Sequence, residues 1–226
     1  MAEELGRIVK PSAEGYREGR NLFFVPLLFF PPGIPLEFLE KVNRYWDEVE
    51  AHVANLESKL GSVKKIYHEL IPVGEEAGAK AIEELNDASH QIVRRRLEKG
   101  ATIQPIEDPD LLTEFMDWSR CLAVGLQNQK VFSKLYDLYS EAQTKRNEHI
   151  AKTLDETLEK GQCGLLLMRE GHRVQFPLDM QVLYVSPPSL DEINRWLRDR
   201  EKEALAKEEE ALKHEHEQSP QHETSG

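Results

Sequence analysis

Cysteine is scarce in this chain. Cys121 and Cys163 are the only two, and neither belongs to a Cys-x-x-Cys pair. That excludes a disulfide framework and a paired-cysteine zinc site. Both read as reduced thiols packed as small apolar residues, in a cytoplasmic protein. Long apolar runs are missing as well. The longest, residues 22–30, falls well short of the roughly 20 apolar residues a membrane-spanning helix needs. It follows Arg17 and Arg20 but lacks a small-residue cleavage pattern, so it reads as a buried strand and not as a signal peptide. Positive charge is in deficit. The net charge of −12 argues against general affinity for nucleic acid or anionic membrane, because phosphate binding needs basic surface. A phosphate-cradling glycine loop, a Gly-x-Ser-x-Gly elbow and an internal repeat are also lacking.

What the chain does have is alternation. Residues 22–30 are apolar at every position but Pro26, as expected of a strand covered on both faces, with the proline at its end or at a bulge. After Pro35, apolar residues from Phe38 to Leu60 recur at three- and four-residue steps, and Gly61 sits where a helix should stop. A strand over 63–71, a helix over 79–97 and a short strand over 101–106 follow. Residues 110–160 read as two helices broken near Gly125. A fourth strand occupies 165–168 and a fifth 180–185. The gap between these last two is too short for a helical crossover, which suggests that the fifth runs antiparallel, as a hairpin partner or an edge strand. Ser189 and Glu192 have the form of a capping box for a last helix.

The expected fold is therefore α/β, a mostly parallel sheet of about five strands flanked by helices, with a C-terminal helix and a disordered acidic tail. Three parts are expected: a flexible arm over 1–20, one α/β domain over 21–200, and a charged helical to disordered tail over 201–226. That tail holds three Lys and eight Glu.

Each strand ends in a polar cluster, and in a parallel sheet those ends share one edge where ligands bind. His172 follows the fourth strand and Gly171, a residue able to turn the chain sharply. It can ligate a metal or move a proton near neutral pH, or it can sit in a surface turn. Glu170 shares a face with His172 if the chain stays extended, and could join it on a divalent cation; the alternative is an exposed loop carboxylate. His68 and Glu69 are neighbours, so a strand sends them to opposite faces. Glu69 is the better candidate, since an acid within 66–71 needs a reason to be there, while His68 can pack under a helix. Glu107 outranks Asp108, which precedes Pro109 and can cap the next helix. Arg146 can clamp a ligand carboxylate or form an internal salt bridge to Glu69, Glu107 or Glu170. Asn147 falls on the core-facing stripe of its helix with Ile150, Ala151 and Leu154, and should have a hydrogen-bond partner. His52, His90 and His149 are isolated in helices, and His214, His216 and His222 belong to the tail.

The stretch from Arg146-Asn147 through Ile150, Leu158 and Gly161 to Gly171-His172 resembles the TraB/PrgY and Tiki family, within the wider erythromycin-esterase and ChaN-like assemblage. The similar stretch covers about 30 residues, with a weaker echo at Tyr67-His68-Glu69 and Glu107-Asp108. The resemblance implies an α/β fold whose active-site groups come from several strand ends. Tiki-type members are metal-dependent proteases, and others cleave esters or bind haem. The matching positions are Glu69, Arg146, Asn147 and His172. The family's early Gly-x-x-His motif has no counterpart here, where Pro31-Pro32-Gly33 stands, and Met168-Arg169-Glu170 replaces a glycine-rich run.

Three readings of function stay open at this point. One is a cytoplasmic, metal-assisted hydrolase, with Glu69, Glu170 and His172 on a divalent metal that activates water and Arg146 opposite developing negative charge. The second is a non-enzymatic protein that binds a small molecule or peptide on the same edge. The third is a scaffold, with homo-oligomerisation one option, that uses its acidic C-terminal helix and the Trp196 face. None involves nucleic acid or a membrane.

Overall fold

The structure, a computed structural model, describes residues 18–30 and 33–218, with side chains placed to residue 207. Most of the expected N-terminal arm, the Pro31-Pro32 turn and the last stretch of the tail lie outside the described residues. The described residues form five strands and six helices. They are β1 (Arg20–Pro26), α1 (Leu36–Leu60), β2 (Val63–His68), α2 (Glu75–Leu85), α3 (Asp87–Leu97), β3 (Thr102–Ile103), α4 (Pro109–Ala123), α5 (Gln129–Thr157), β4 (Cys163–Met168), β5 (Met180–Tyr184) and α6 (Pro188–Gln218). The sheet order is β3-β2-β4-β1-β5 and every pairing is parallel. No described helix is long and apolar enough to cross a membrane.

The fifth strand is thus at an edge, as expected, but parallel. β5 pairs with β1 and not with β4, so the chain must return to the amino edge before it starts. An extended chain spans roughly 3.3–3.6 Å per residue, which lets residues 169–179 make that return without a helix. Arg20 secures the arrival point. It is buried at the head of β1, donates to both Asp179 oxygens, and reaches the Asp155 carbonyl at 2.9 Å. Residue 20 therefore belongs to the sheet and not to an arm.

β1 shows how the sheet is covered on both faces. Phe23 and Val25 enter a core built with α1, α3 and α6, while Leu22 and Phe24 enter a second core with Ile150, Leu154 and Leu158 of the α5 end. Val174 and Phe176 of the return segment complete this second layer. Pro26 ends the strand, where its missing donor does no harm. Gly61 ends α1 at φ +119°, a backbone state that an L side chain rarely adopts.

Two helix boundaries differ from expectation. The stretch read as one helix over 79–97 is split at Asn86, whose side chain accepts from Ser89 N at 2.9 Å and caps α3. Asparagine is a strong cap, and here the cap prevails over continuity. Ser189 lies inside α6 and caps nothing: its hydroxyl and amide both donate to Glu48.

α4 and α5 are two helices, as the break near Gly125 suggested, and they form a hairpin. Phe115 is the one buried residue of α4, and the first buried residue of α5 is Ala142. The distal half of this hairpin stands away from both cores. Helix α6 runs through Gln218, so the charged tail is helical to that point.

A candidate site at the carboxyl edge

β2 ends at His68, so Glu69 stands at the carboxyl edge, beside the end of β4. Its amide donates to the Leu167 carbonyl at 2.9 Å. Arg169 follows β4 directly and faces Glu69. The Arg169 amide donates to Glu69 Oε2 at 2.9 Å, and its guanidinium reaches Oε1 from Nη2 at 2.9 Å and Oε2 from Nε at 3.1 Å. Arg146 of α5 reaches down from the other side, with Nη2 at 3.2 Å from Glu69 Oε1. Its Nε donates to Glu107 Oε2 at 2.8 Å, and Nη2 also meets Glu107 Oε1. Two arginines and two glutamates form one network, with Glu69, Glu107 and Arg146 all buried. This is the internal salt-bridge alternative for Arg146, to Glu69 and Glu107 but not Glu170.

The backbone around the network is constrained. Leu70 sits at φ +69° and donates its N–H to Glu107 Oε1 at 3.0 Å. Such a conformation is costly for a branched residue and persists because its surroundings hold it. Burial alone would raise the Glu69 carboxyl, but the hydrogen bonds and charge of Arg169, with the charge of Arg146, outweigh it and hold the group below the usual carboxylate range. Burial pulls Arg146 down while Glu107 and Glu69 push it up, and the acids prevail.

Above this network lies a crevice of about 330 Å³, lined by Glu69, Arg146, Asn147, Arg169, Glu170 and His172 from the strand ends and α5. Phe115, Met116 and Ser119 of α4, with Tyr139 and Gln143 of α5, form its other wall. The Arg146 guanidinium stacks on Phe115 at 4.8 Å. All four positions of the family resemblance are on this surface. Asn147 is half-buried at the wall and not in the core.

His172 is half-buried, its ring 4.9 Å from Phe24 and 5.3 Å from Phe176. Gly171 precedes it at φ +78°, the sharp turn expected of that glycine. Val174 N–H donates to His172 Nδ1 at 3.3 Å, so the neutral ring carries its proton on Nε2. Burial pushes this imidazole below its ordinary value, against the opposing charge of Glu69, which favours the neutral ring.

Two expected members fall elsewhere, and Glu170 reaches only the exposed rim of the crevice. His68 is fully buried on the opposite side, under α3. Its Nδ1–H donates to the Glu69 carbonyl at 2.7 Å, and Nε2 lies 3.0 Å from Ser89 Oγ. Glu107 is beneath the crevice and not on its surface. Glu170 is exposed, 3.4 Å from Asn194 Nδ2. The turn at Gly171 breaks the extended geometry that would have put Glu170 and His172 on one face. Among the described residues no three His, Cys, Asp or Glu side chains are grouped to hold a metal. Glu69 in particular has both oxygens engaged by arginine, which leaves it a poor ligand. The trio Glu69, Glu170 and His172 therefore does not form a cation cage.

The residue missed from sequence is Arg169. Its position directly after an apolar strand, opposite another strand end bearing an acid, was the available signal. The α4 wall could not have been read, because nothing in a helical period tells which turn overhangs a sheet edge. Asp108 does cap α4, accepting from Asp110 N and Leu111 N, both at 3.0 Å.

Comparison of the chain with protein-family models, with curated proteins and with solved structures gives no match.

Proposed function

We propose that the crevice is a binding site for a small molecule with an acceptor oxygen at one end and an apolar portion at the other. The tautomer of His172 carries this reading: with Nδ1 occupied by Val174, Nε2–H is a donor without a partner among the described residues. Asn147 and Gln143 add amide groups on the wall, and Phe115, Met116, Tyr139 and Met168 supply apolar surface. A crevice of this size, mostly preformed and with few convergent polar groups, suits a small ligand. The Arg–Glu network beneath is internally balanced, so it shapes the floor without demanding a charged partner.

Kinship with the TraB/PrgY and Tiki family belongs to the same proposal. Its support is that Glu69, Arg146, Asn147 and His172 all line one crevice. A cytoplasmic location is likewise proposed, from two free thiols, Cys121 exposed and Cys163 buried. Metal-assisted hydrolysis through Glu69, Glu170 and His172 is the less supported reading, because arginines already saturate Glu69.

The experiment is a thermal-shift screen of small carboxylic and keto acids and their esters, followed by repetition with His172→Ala. A ligand that binds only the native state raises Tm. The expected result is stabilisation by an acceptor-bearing compound that is recovered unchanged, and its loss in the variant. Stoichiometric divalent metal in the purified protein, released on His172→Ala and accompanied by ester or peptide cleavage, would overturn the proposal in favour of hydrolysis.

A further inference from the structure

The α4–α5 hairpin carries a second surface, independent of the crevice. Over residues 129–141 α5 buries no residue, and Val131 and Leu138 are 49% and 41% exposed. α4 packs against α5 and leaves the outer face of α5 open. Two helices alone rarely close a core, whereas four do.

Charge along that outer face indicates what closes it. Lys130, Lys134, Asp137 and Glu141 are all exposed, and steps of four, three and four residues place them on one stripe. The two bases come first and the two acids last. Glu141 also takes Lys145 of its own helix at 2.8 Å. Val131 and Leu138 run beside the stripe. A second α5 laid antiparallel along it sets Lys130 opposite Glu141 and Lys134 opposite Asp137, and the same pairs recur in the reverse direction. A parallel partner would meet like with like. A pattern complementary to itself only when inverted is what a twofold interface requires. From the exposed apolar pair and this stripe we infer that the hairpin is a homodimerisation arm: two copies join outer α5 faces into an antiparallel four-helix bundle.

The test uses the full chain and two charge variants. In K130E/K134E the stripe is wholly acidic, and in D137K/E141K it is wholly basic. None of the four positions lines the crevice. Sedimentation at micromolar concentration is expected to give two chains per particle for wild type, and one chain for each variant alone. Mixing the variants in equal amounts is expected to restore two chains per particle. A monomeric wild type, a variant that stays dimeric, or a mixture that stays monomeric would each overturn the inference. Wild type alone supplies a check that needs no substitution. Added salt screens exposed charges, so the dimer is expected to weaken as salt rises, and one insensitive to salt would overturn the charge-matched interface.

Discussion

Arg146 meets Glu107 with two nitrogens, Nε to Oε2 at 2.8 Å and Nη2 to Oε1, while Glu69 takes the remaining reach of Nη2. Glu107 is thus the principal counter-charge of an arginine whose side chain is 6% exposed. Glu107→Ala removes that principal partner and leaves the buried charge to Glu69 alone, through one contact at 3.2 Å. Breaking a buried pair from one side costs about 3–5 kcal/mol. Arg169→Ala should cost less, about 1–2 kcal/mol, because Arg169 is half-exposed and Glu69 keeps Arg146. Urea denaturation of the two variants gives the order. Equal losses would mean that Arg146 does not depend on Glu107 as the geometry says.

Acid should weaken the fold in two windows. Burial pushes His68 down to about 4, although the hydrogen bond to the Glu69 carbonyl opposes the shift. The unfolded chain titrates near 6.5, so it binds more protons than the native state between those values. Stability from His68 is complete above 6.5 and is lost as pH falls toward 4, on the order of 3 kcal/mol in all. Glu69, held below the carboxylate range, adds a loss that begins only below its unfolded value near 4.5. A His68→Gln variant should be flatter between pH 6.5 and 4.5 while keeping the lower limb. Denaturation midpoints across pH measure both limbs, and a wild-type curve already flat above pH 4.5 would count against a neutral, buried His68.

How much of this was legible in the sequence follows from range. The strand–helix alternation was visible because apolar period is a local signal. Glu69 stood out because an acid in an apolar run is a local anomaly, and Gly171 because a left-handed turn leaves few other residue choices. The partners of Glu69 were not visible. Arg169 is a hundred residues away, and only β4 slotting between β2 and β1 brings the two together. The orientation of β5 was misjudged for the same reason. A short gap argues for a hairpin only if the two strands are neighbours, and β1 lies between them. Glu170 was misplaced by a single dihedral angle, that of Gly171.

Two glycines, one near the start of β4 and one in the turn after it, should respond differently to alanine. A Cβ at Gly164, inside β4, would lie 3.1–3.2 Å from Leu22, Leu158 and Tyr67 at once. Three packed neighbours cannot all yield, so Gly164→Ala should cost about 1–3 kcal/mol, as overpacked cores do. At Gly171 nothing stands within 4 Å of a new Cβ, and only φ +78° resists. Gly171→Ala should cost about 1–2 kcal/mol from the left-handed backbone alone. Its more telling effect is local: the His172 ring should lose its fixed place between Phe24 and Phe176. Chemical-shift changes confined to 170–176 would fit, whereas changes spread across the sheet would not.

The titration of His172 is a direct test of the crevice electrostatics. Burial lowers this imidazole and the Glu69 carboxylate raises it, with burial prevailing. In the native protein the group should therefore titrate below 6.5, and the neutral ring should show its proton on Nε2 by nitrogen NMR. Glu69→Gln removes the opposing charge and leaves the burial, so it should push His172 lower still. If Glu69 instead acted as a proton-accepting partner that drew His172 into the charged form, wild type would titrate above 6.5, and Glu69→Gln would bring it back toward that value. The position of the wild-type midpoint relative to 6.5 separates these two electrostatic arrangements. Only the first leaves a neutral Nε2–H facing a ligand oxygen at pH 7.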